Sequence, residues 1–366
     1  MKQEKVVAGF IGAGGIARAH AFSLNSLRYF YDDSPEIGLE AVCSATEESR
    51  ESFAEKYHFR ISSAFDEFIS NDKIDTVYIF SPNKFHFEHL EAVSGMPSVK
   101  RIYLEKPVCS TQDEESGIVR LVKEHHGIKI QVGFQYLFSA AIREALKFYR
   151  SGILGKPLHF DLKYFHGDYL RREYREKRTN RLTPAPDGGA MADLGSHVIS
   201  MLIAFLGNNL HITGALQAGS FEDVPYDSDL FSTISVFDNS TSAAGTISAS
   251  RISSGTGDLI SLELYAEKGA LRYSTGSPDY FEFFLEETGA WNRIVTGSNY
   301  KPASTFPSGH VPPGWLRSMI HAHYIFLTGN DNGSFVPDID HGLAVQKFVR
   351  QTADHLERFR NLISHR

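Results

Sequence analysis

Three short stretches of the chain carry side chains whose types and spacing suit chemistry. Gly12-Ala13-Gly14-Gly15-Ile16-Ala17 fits the pattern G-x-G-x-x-A. The first glycine of such a turn permits a sharp bend, the second lets backbone approach a pyrophosphate, and the final small residue lets a helix pack closely on a sheet. A helix opening at Gly14, Gly15 and Ile16 turns its N–H groups and positive dipole end toward phosphates. Lys106, before Pro107, is the second stretch. The third holds Asp193 and His197, four residues apart and so on one face of a helix.

With a dinucleotide on the glycine turn, these side chains suit hydride transfer. Oxidation of a carbinol carbon needs a base for the hydroxyl proton, and the reverse reaction needs an acid. His197 suits that role because an ordinary histidine titrates near neutrality. Lys106 brings positive charge to the developing alkoxide or the carbonyl oxygen. It carries the proton itself if burial lowers its pKa. Each residue alone has a structural explanation: helical histidines usually pack, an Asp four residues away can be an exposed pair, and a Lys before Pro can shape a turn. Occurring together behind the glycine turn, they favour catalysis.

The end of the second strand reports cofactor choice, because an Asp or Glu there binds the ribose hydroxyls of NAD and repels a 2′-phosphate. Here the strand ends Val42-Cys43-Ser44-Ala45-Thr46, without the acid. Ser44 and Thr46 can hydrogen-bond a phosphate and Arg50 follows one helical turn later, so NADP is favoured over NAD. Glu47 or Glu48 could instead take the acidic role, leaving Arg50 solvated. No metal is expected: the chain has no HExxH and no clustered cysteines, and in His86-Phe87-Glu88-His89 the second histidine reads as an outward helix residue. Six basic residues crowd Arg171 to Arg181. A solvated segment interleaved with Glu173 and Glu176 explains them better than an anion-binding rim.

The elements that would position these residues alternate in the first third of the chain. Strands at Lys5–Ile11, Leu39–Ser44, Thr76–Phe80, Arg101–Leu104 and Ile128–Val132 are separated by helical stretches, including Glu47–Tyr57 and Gln112–Glu124. That order predicts a parallel, doubly wound sheet. After Phe134 the pattern changes. One helix is predicted over Ala140–Ser151 and another over Ala190–Leu206. Strands at Pro157–His166, Leu230–Phe237, Thr241–Ser250, Ile260–Ala266, Ala270–Tyr273 and Tyr280–Leu285 have short polar links, which argue antiparallel pairing. Two helices, about Leu316–Leu327 and Gly342–Arg360, close the chain. The expected architecture is an α/β Rossmann domain over 1–132 and an α+β substrate-binding and oligomerisation domain over 133–366.

Composition fits that picture. A chain of 366 residues, 42% hydrophobic and 22% charged, suits two globular cores. A formal charge of −7 gives nothing that draws it to nucleic acid or an anionic membrane. The apolar run Val6–Ala17 behind Lys2 and Lys5 is broken by four glycines, so it is a strand entering a turn rather than a signal peptide. Val198–Leu206 is far short of the roughly 20 residues of a membrane span. Cys43 and Cys109 stand in no CxxC or zinc spacing and read as reduced thiols of a cytoplasmic protein.

Further segments add to the glycine turn: Phe80-Ser81-Pro82-Asn83 with His86, Glu105-Lys106-Pro107, Gly188-Gly189-Ala190-Met191-Ala192-Asp193-Leu194-Gly195-Ser196-His197, and Gly309-His310-Val311-Pro312-Pro313-Gly314-Trp315. In order and spacing the set resembles the glucose-fructose oxidoreductase, inositol dehydrogenase and rhizopine catabolism family (Gfo/Idh/MocA), over nearly the whole chain. The resemblance implies NAD(P)-linked oxidation or reduction of sugars, polyols or their derivatives. It also implies an open, mainly antiparallel C-terminal sheet and assembly as homodimers or homotetramers across it. By motif, Lys106 matches the family's catalytic lysine, and Asp193 and His197 its D-x-x-x-H pair. Ser81, Asn83, His86 and Glu105 match cofactor-side positions, with Gln135 placed beside them. The segment at His310 is similar to the G-H-P-x-G-W/Y motif of a sugar-oxidising subset, with one extra residue. Gly167–Leu170 and Asn180-Arg181-Leu182 also resemble that subset. Two positions depart: Tyr136 and Leu137 follow Gln135 where many members have arginine, and Ser200 replaces an acid three residues after the histidine. The substrate set expected is therefore Lys106, Tyr136, Arg181, Asp193, His197 and His310, with Lys106, Asp193 and His197 converging beside the reactive ring and the others nearer the rim. A glycosidase-like enzyme that retains NAD, and a dinucleotide-sensing regulator, would share the glycine turn. Retention of all three catalytic positions argues against the regulator.

Overall fold

The computed structural model describes residues 5–183, 188–219, 221–297, 300–301 and 315–364. The chain forms two compact units, Met1–Ser139 with Ser298–Leu343, and Ala140–Gly297 with Ala344–Arg366. A single boundary after Val132 is replaced by two discontinuous units, because a late helix returns to the first sheet's layer.

In the first unit the strands β1 (Lys5–Ile11), β2 (Glu36–Cys43), β3 (Ile61–Ser63), β4 (Thr76–Ile79), β5 (Arg101–Leu104) and β6 (Lys129–Val132) form one sheet in the order β3-β2-β1-β4-β5-β6. All its pairings are parallel. The helices between them are α1 (Gly15–Phe30), α2 (Glu47–Tyr57), α3 (Phe65–Ile69), α4 (His86–Ser94) and α5 (Gln112–Glu124). Strand order reverses beside β1, and ligands of doubly wound sheets bind at such a switch point, outside the carboxyl ends of the strands. Val6, Ala8 and Phe10 are fully buried, as a parallel strand covered on both faces requires.

The second unit begins with α6 (Ala140–Arg150), α7 (Arg172–Glu176) and α8 (Ser196–Leu206) around β7 (Pro157–Phe165). Seven further strands follow: β8 (Leu210–Ala218), β9 (Phe231–Asp238), β10 (Ala244–Ser250), β11 (Leu259–Ala266), β12 (Gly269–Ser274), β13 (Tyr280–Leu285) and β14 (Ala290–Val295). The sheet order is β14-β13-β12-β11-β7-β10-β9-β8. It is antiparallel except where β7 pairs parallel with β10. Strands alternate between its faces: Phe160, Leu162, Ile247, Leu264, Leu271 and Phe281 are buried, with α6 against β12 and β13 and α8 against β7. The register aligns Asp161, Glu263, Arg272, Glu282 and Arg293 across five strands of the opposite face. Glu282 accepts from Arg272 at 2.8 Å and from Arg293 at 3.1 Å.

The closing helices are α9 (Trp315–Thr328) and α10 (Ile339–Ser364). α9 packs on α1 through aromatic and polar contacts that no local pattern announces: Tyr31 stacks on Tyr324 at 4.0 Å, and the Tyr31 hydroxyl lies 2.7 Å from His321 Nδ1. No helix among the described residues is long and apolar enough to cross a membrane.

Candidate functional site

Two glycine-led turns open helices in this protein, and they are finished differently. At the first, Gly12 has φ +111°, and a Cβ there would stand 2.6 Å from the Phe80 carbonyl oxygen, so only glycine fits. Its N–H donates to the Cys43 carbonyl at 2.8 Å, tying the turn to the end of β2. Ala17 is fully buried and Ile16 packs on the same core. Gly14 caps α1 with no side-chain hydrogen bond, and the helix's first turn holds no acid. Nothing lies within 4 Å of where a Cβ would sit on Gly14 or Gly15. The positive end of a 16-residue helix therefore faces open space across bare backbone.

At the second, Gly189 has φ +86°, and its missing side chain makes room for the Asp229 carboxylate. That carboxylate, 1% exposed, accepts from Met191 N–H and Ser232 Oγ, and the Asp229 carbonyl accepts from Ala190 N–H. An internal anion already occupies this helix start. The first turn has the room and the charge that a dinucleotide pyrophosphate requires.

Beside the first turn, Ser44 Oγ donates to the Thr46 carbonyl at 3.2 Å. Thr46 is the N-cap of α2, its hydroxyl accepting from Ser49 N–H at 3.3 Å. The Arg50 guanidinium stands 3.8 Å from Glu47 and close enough to Cys43 to oppose the effect of burial, which pushes that thiol up to about 12. A cavity of about 340 Å³ adjoins them, lined in part by Ala13, Arg18, Thr46, Ser49 and Lys56.

The loop after β4 is tied to the turn after β5. His86 is buried, with Nδ1 2.5 Å from the Pro107 carbonyl oxygen and Nε2 2.8 Å from that of Ser81. Burial lowers its pKa, partly offset by the two carbonyls. A neutral ring donates to only one carbonyl at a time, and both nitrogens face protein, so His86 braces the two loops. Ser81 Oγ lies 2.8 Å from His89 Nδ1, and the His89 ring lies against Phe65 and Phe85. His89, expected to point outward, is thus partly buried and engaged. Asn83 opens the 3-10 turn Asn83–Phe85, and Gln135 opens another over Gln135–Phe138 that also holds Tyr136. Glu105 is buried, its Oε1 3.0 Å from His20 Nε2, and Gly133 leaves the room its carboxylate fills. Lys106 precedes a cis peptide to Pro107.

In the second unit, Asp193 and His197 do not share one regular α-helix. Met191–Gly195 is a π-helical turn, and the α-helix starts only at Ser196. Asp193 Oδ1 accepts from Arg181 Nη1 at 2.9 Å and Oδ2 from Arg251 Nη2 at 2.8 Å. Arg251 is fully buried, its guanidinium 4.6 Å from the centre of the Tyr169 ring and its Nη1 donating to the Arg181 carbonyl. The carboxylate is thus clamped between two guanidinium groups. His197 is buried, 5.9 Å ring to ring from Tyr164. Arg251 was not among the expected site residues; its one signal in the sequence is an arginine directly after the alternating strand Ala244–Ser250.

The basic stretch is mostly neutralised. Arg171 pairs with Asp168, Arg172 with Glu176 and Arg181 with Asp193. Arg175, buried, donates through Nε and Nη2 to Asp223 and lies 4.0 Å over Phe221. His310 and the motif around it lie outside the described residues. Among the described residues, no three His, Cys, Asp or Glu side chains gather as a metal site would need.

The parallel sheet ordered 3-2-1-4-5-6 and the open glycine turn define a dinucleotide-binding oxidoreductase domain, followed by a mainly antiparallel α+β domain. Residues 6–134 match the oxidoreductase family with an NAD-binding Rossmann fold, and residues 142–272 match the GFO/IDH/MocA C-terminal domain. The chain belongs to the Gfo/Idh/MocA family of oxidoreductases. A glucose-6-phosphate 3-dehydrogenase of Bacillus subtilis is 28% identical over 57% of this chain and 56% of its own length. A levoglucosan dehydrogenase of Pseudarthrobacter phenanthrenivorans is 24% identical over 92% of each chain. A levoglucosan dehydrogenase structure in complex with NADH and levoglucosan superposes with a TM-score of 0.80 at 20% identity, covering 96% of this chain and 98% of that one.

Proposed function

We propose that the chain transfers hydride between a nicotinamide dinucleotide, NADP in preference to NAD, and a hydroxyl-bearing carbon of a sugar, polyol or related derivative. The observation that carries this reading is the α1 N-terminus, open over Gly14 and Gly15 with no side-chain capping bond and no acid in its first turn, in a chain whose relatives include sugar dehydrogenases. The first unit holds the dinucleotide and the second the substrate.

Backbone N–H groups at Gly14, Gly15 and Ile16 bind the pyrophosphate. Ser44, Thr46 and Arg50 receive a 2′-phosphate, which an acid at the end of β2 would repel. Ser81, Asn83, His86, Glu105 and Gln135 form the cofactor side of the reaction site, with His86 acting through the loops it braces. A bound nicotinamide would supply or accept the hydride. His197 exchanges the hydroxyl proton, and Lys106 stabilises the negative charge that develops on the reacting oxygen. Asp193 holds Arg181 toward the substrate, with Tyr136 and His310 shaping the rim. The polar face of the eight-stranded sheet, where Trp291 and Tyr265 are exposed among paired charges, joins a second copy of the chain.

The test is the nicotinamide absorbance band, followed with NAD and NADP against sugars and inositols, and with NADH and NADPH against keto-sugars. A substrate-dependent change with at least one pair is expected. Absence of any change, together with no titratable dinucleotide binding, overturns the reading.

A further inference from the structure

Two buried histidines stand behind the Glu105-Lys106-Pro107 turn, and none of the chemistry above uses them. His20 on α1 is fully buried, its ring stacked on Phe80 at 4.3 Å and edge-on to Tyr103 at 5.1 Å. Its Nδ1 lies 2.8 Å from His323 Nε2 on α9, and its Nε2 lies 3.0 Å from Glu105 Oε1. His323 is also fully buried, packed among Tyr78, Tyr103 and the His20 ring.

The protons can be assigned from the surroundings. A neutral imidazole has one N–H and one acceptor nitrogen. His323 Nδ1 is buried and makes no hydrogen bond among the described residues. A buried lone pair without a partner is tolerated better than a buried N–H without one. The His323 proton therefore sits on Nε2 and is donated to His20 Nδ1. His20 must then carry its own proton on Nε2, pointed at the Glu105 carboxylate. Burial pushes His20 down to about 3 and His323 well below its ordinary value, which agrees with two neutral rings.

We propose that His323 and His20 are positioning residues of the dinucleotide site, a one-way hydrogen-bonded chain that fixes the buried Glu105 carboxylate and, with it, the turn that carries Lys106. This rests on the function proposed above. The two rings contribute differently, in that His20 supplies the donor and His323 selects the tautomer in which that donor exists. Neither ring touches substrate, and both are held by helices distant from each other in sequence.

The experiment compares wild type, His20→Phe, His323→Phe, the double variant, Glu105→Gln, and His20→Phe combined with Glu105→Gln. Phenylalanine keeps the stacking on Phe80 and removes the hydrogen bonds. NADH and NADPH binding are titrated by fluorescence, and kcat is followed against pH. His20→Phe is expected to lose about 10-fold or more in cofactor affinity or kcat, the scale of a hydrogen bond to a charged group. His323→Phe loses less, and the double variant matches His20→Phe within about twofold, as members of one chain should. A buried carboxylate that loses the His20 donor holds its proton more tightly, so the acid limb of kcat moves to higher pH in His20→Phe. The titratable groups around that carboxylate are His20, His323, His86, Tyr78 and Tyr103, with Lys106 on its own turn. On the Glu105→Gln background, where the amide keeps an acceptor oxygen but no charge, His20→Phe should lose no more than a few-fold, the scale of a neutral hydrogen bond, and that pair serves if His20→Phe alone does not fold. A loss of about 10-fold or more on that background, multiplying effects of the two histidines, or wild-type binding and kcat in His20→Phe overturns the inference. Wild type that binds neither dinucleotide overturns the proposed function as well.

Discussion

Replacing Asp193 separates two roles that its sequence context leaves merged. In the structure this carboxylate is the counter-charge of Arg251, whose side chain is 0% exposed, and of Arg181, whose side chain is 49% exposed. Asp193→Ala leaves the Arg251 cation buried with the Arg181 carbonyl as its remaining named acceptor. Breaking a buried pair from one side costs about 3–5 kcal/mol. The half-exposed Arg181 adds no more than a surface pair, about 0–1 kcal/mol. Asp193 is itself 21% exposed, so water recovers part of the loss and the lower figure, about 3 kcal/mol, applies. For a unit of this size, that is a fall of roughly 6–12 °C in the melting temperature. Asp193→Asn keeps the volume and one acceptor oxygen and should lose about half as much. Replacing the pair together, Asp193→Leu with Arg251→Met, should recover most of the stability, because no buried charge remains. Thermal melts of the four proteins, read beside turnover, decide the matter. If Asp193→Ala melts within a degree or two of wild type while turnover collapses, Asp193 is a chemical partner of His197 rather than the anchor of a clamp.

Lys106→Ala and His197→Ala should each lower turnover by about 100-fold or more while cofactor affinity stays largely intact, the scale of losing a general acid, base or charge stabiliser; early melting with poor cofactor binding would mean a structural role instead. Wild type should bind NADPH more tightly than NADH and Ser44→Asp should reverse the order, whereas a clear NADH preference in wild-type titrations makes Ser44 a neutral departure. Acid should destabilise the fold as pH falls from 6.5 toward 3. His20 and His341, pushed by burial to about 3 and about 4, stay neutral in the folded state while the unfolded chain takes up their protons. Each costs about 1.4 kcal/mol per pH unit within that window, and His20→Phe should flatten the measured slope. Light scattering at micromolar concentration should show a dimer or tetramer, and a monomer alone refutes assembly through the sheet face.

Much of this protein was legible in its sequence because the governing interactions are local. Glycine at position 12 follows from backbone sterics, and β1, α2 and α5 follow from hydrophobic period and capping, with Thr46 and Thr111 standing as N-caps. The glycine turn, Glu105-Lys106-Pro107 and the Asp193–His197 spacing therefore pointed to the cofactor domain and the family from residue types alone. The strand at Leu210–Ala218 went unread because its three glycine and alanine residues blur the alternation, and the short β3 offers too few residues to show a period.

What only tertiary structure decided is where buried polar groups find partners. Nothing near Asp193 in sequence announces Arg251, 58 residues away, and nothing near His20 announces His323, 303 residues away. The Gly188-Gly189 turn looks as ready for an anion as Gly14-Gly15 until Asp229 is seen filling it. The return of α9 to the first unit is likewise unwritten in any local pattern. A hydrophobic period reports which face of an element is buried, but a buried hydrogen-bond donor or charge must be matched by whatever group the fold brings within about 3 Å. That matching is a property of three-dimensional packing, and it sets Arg181 and Arg251 against the Asp193 carboxylate.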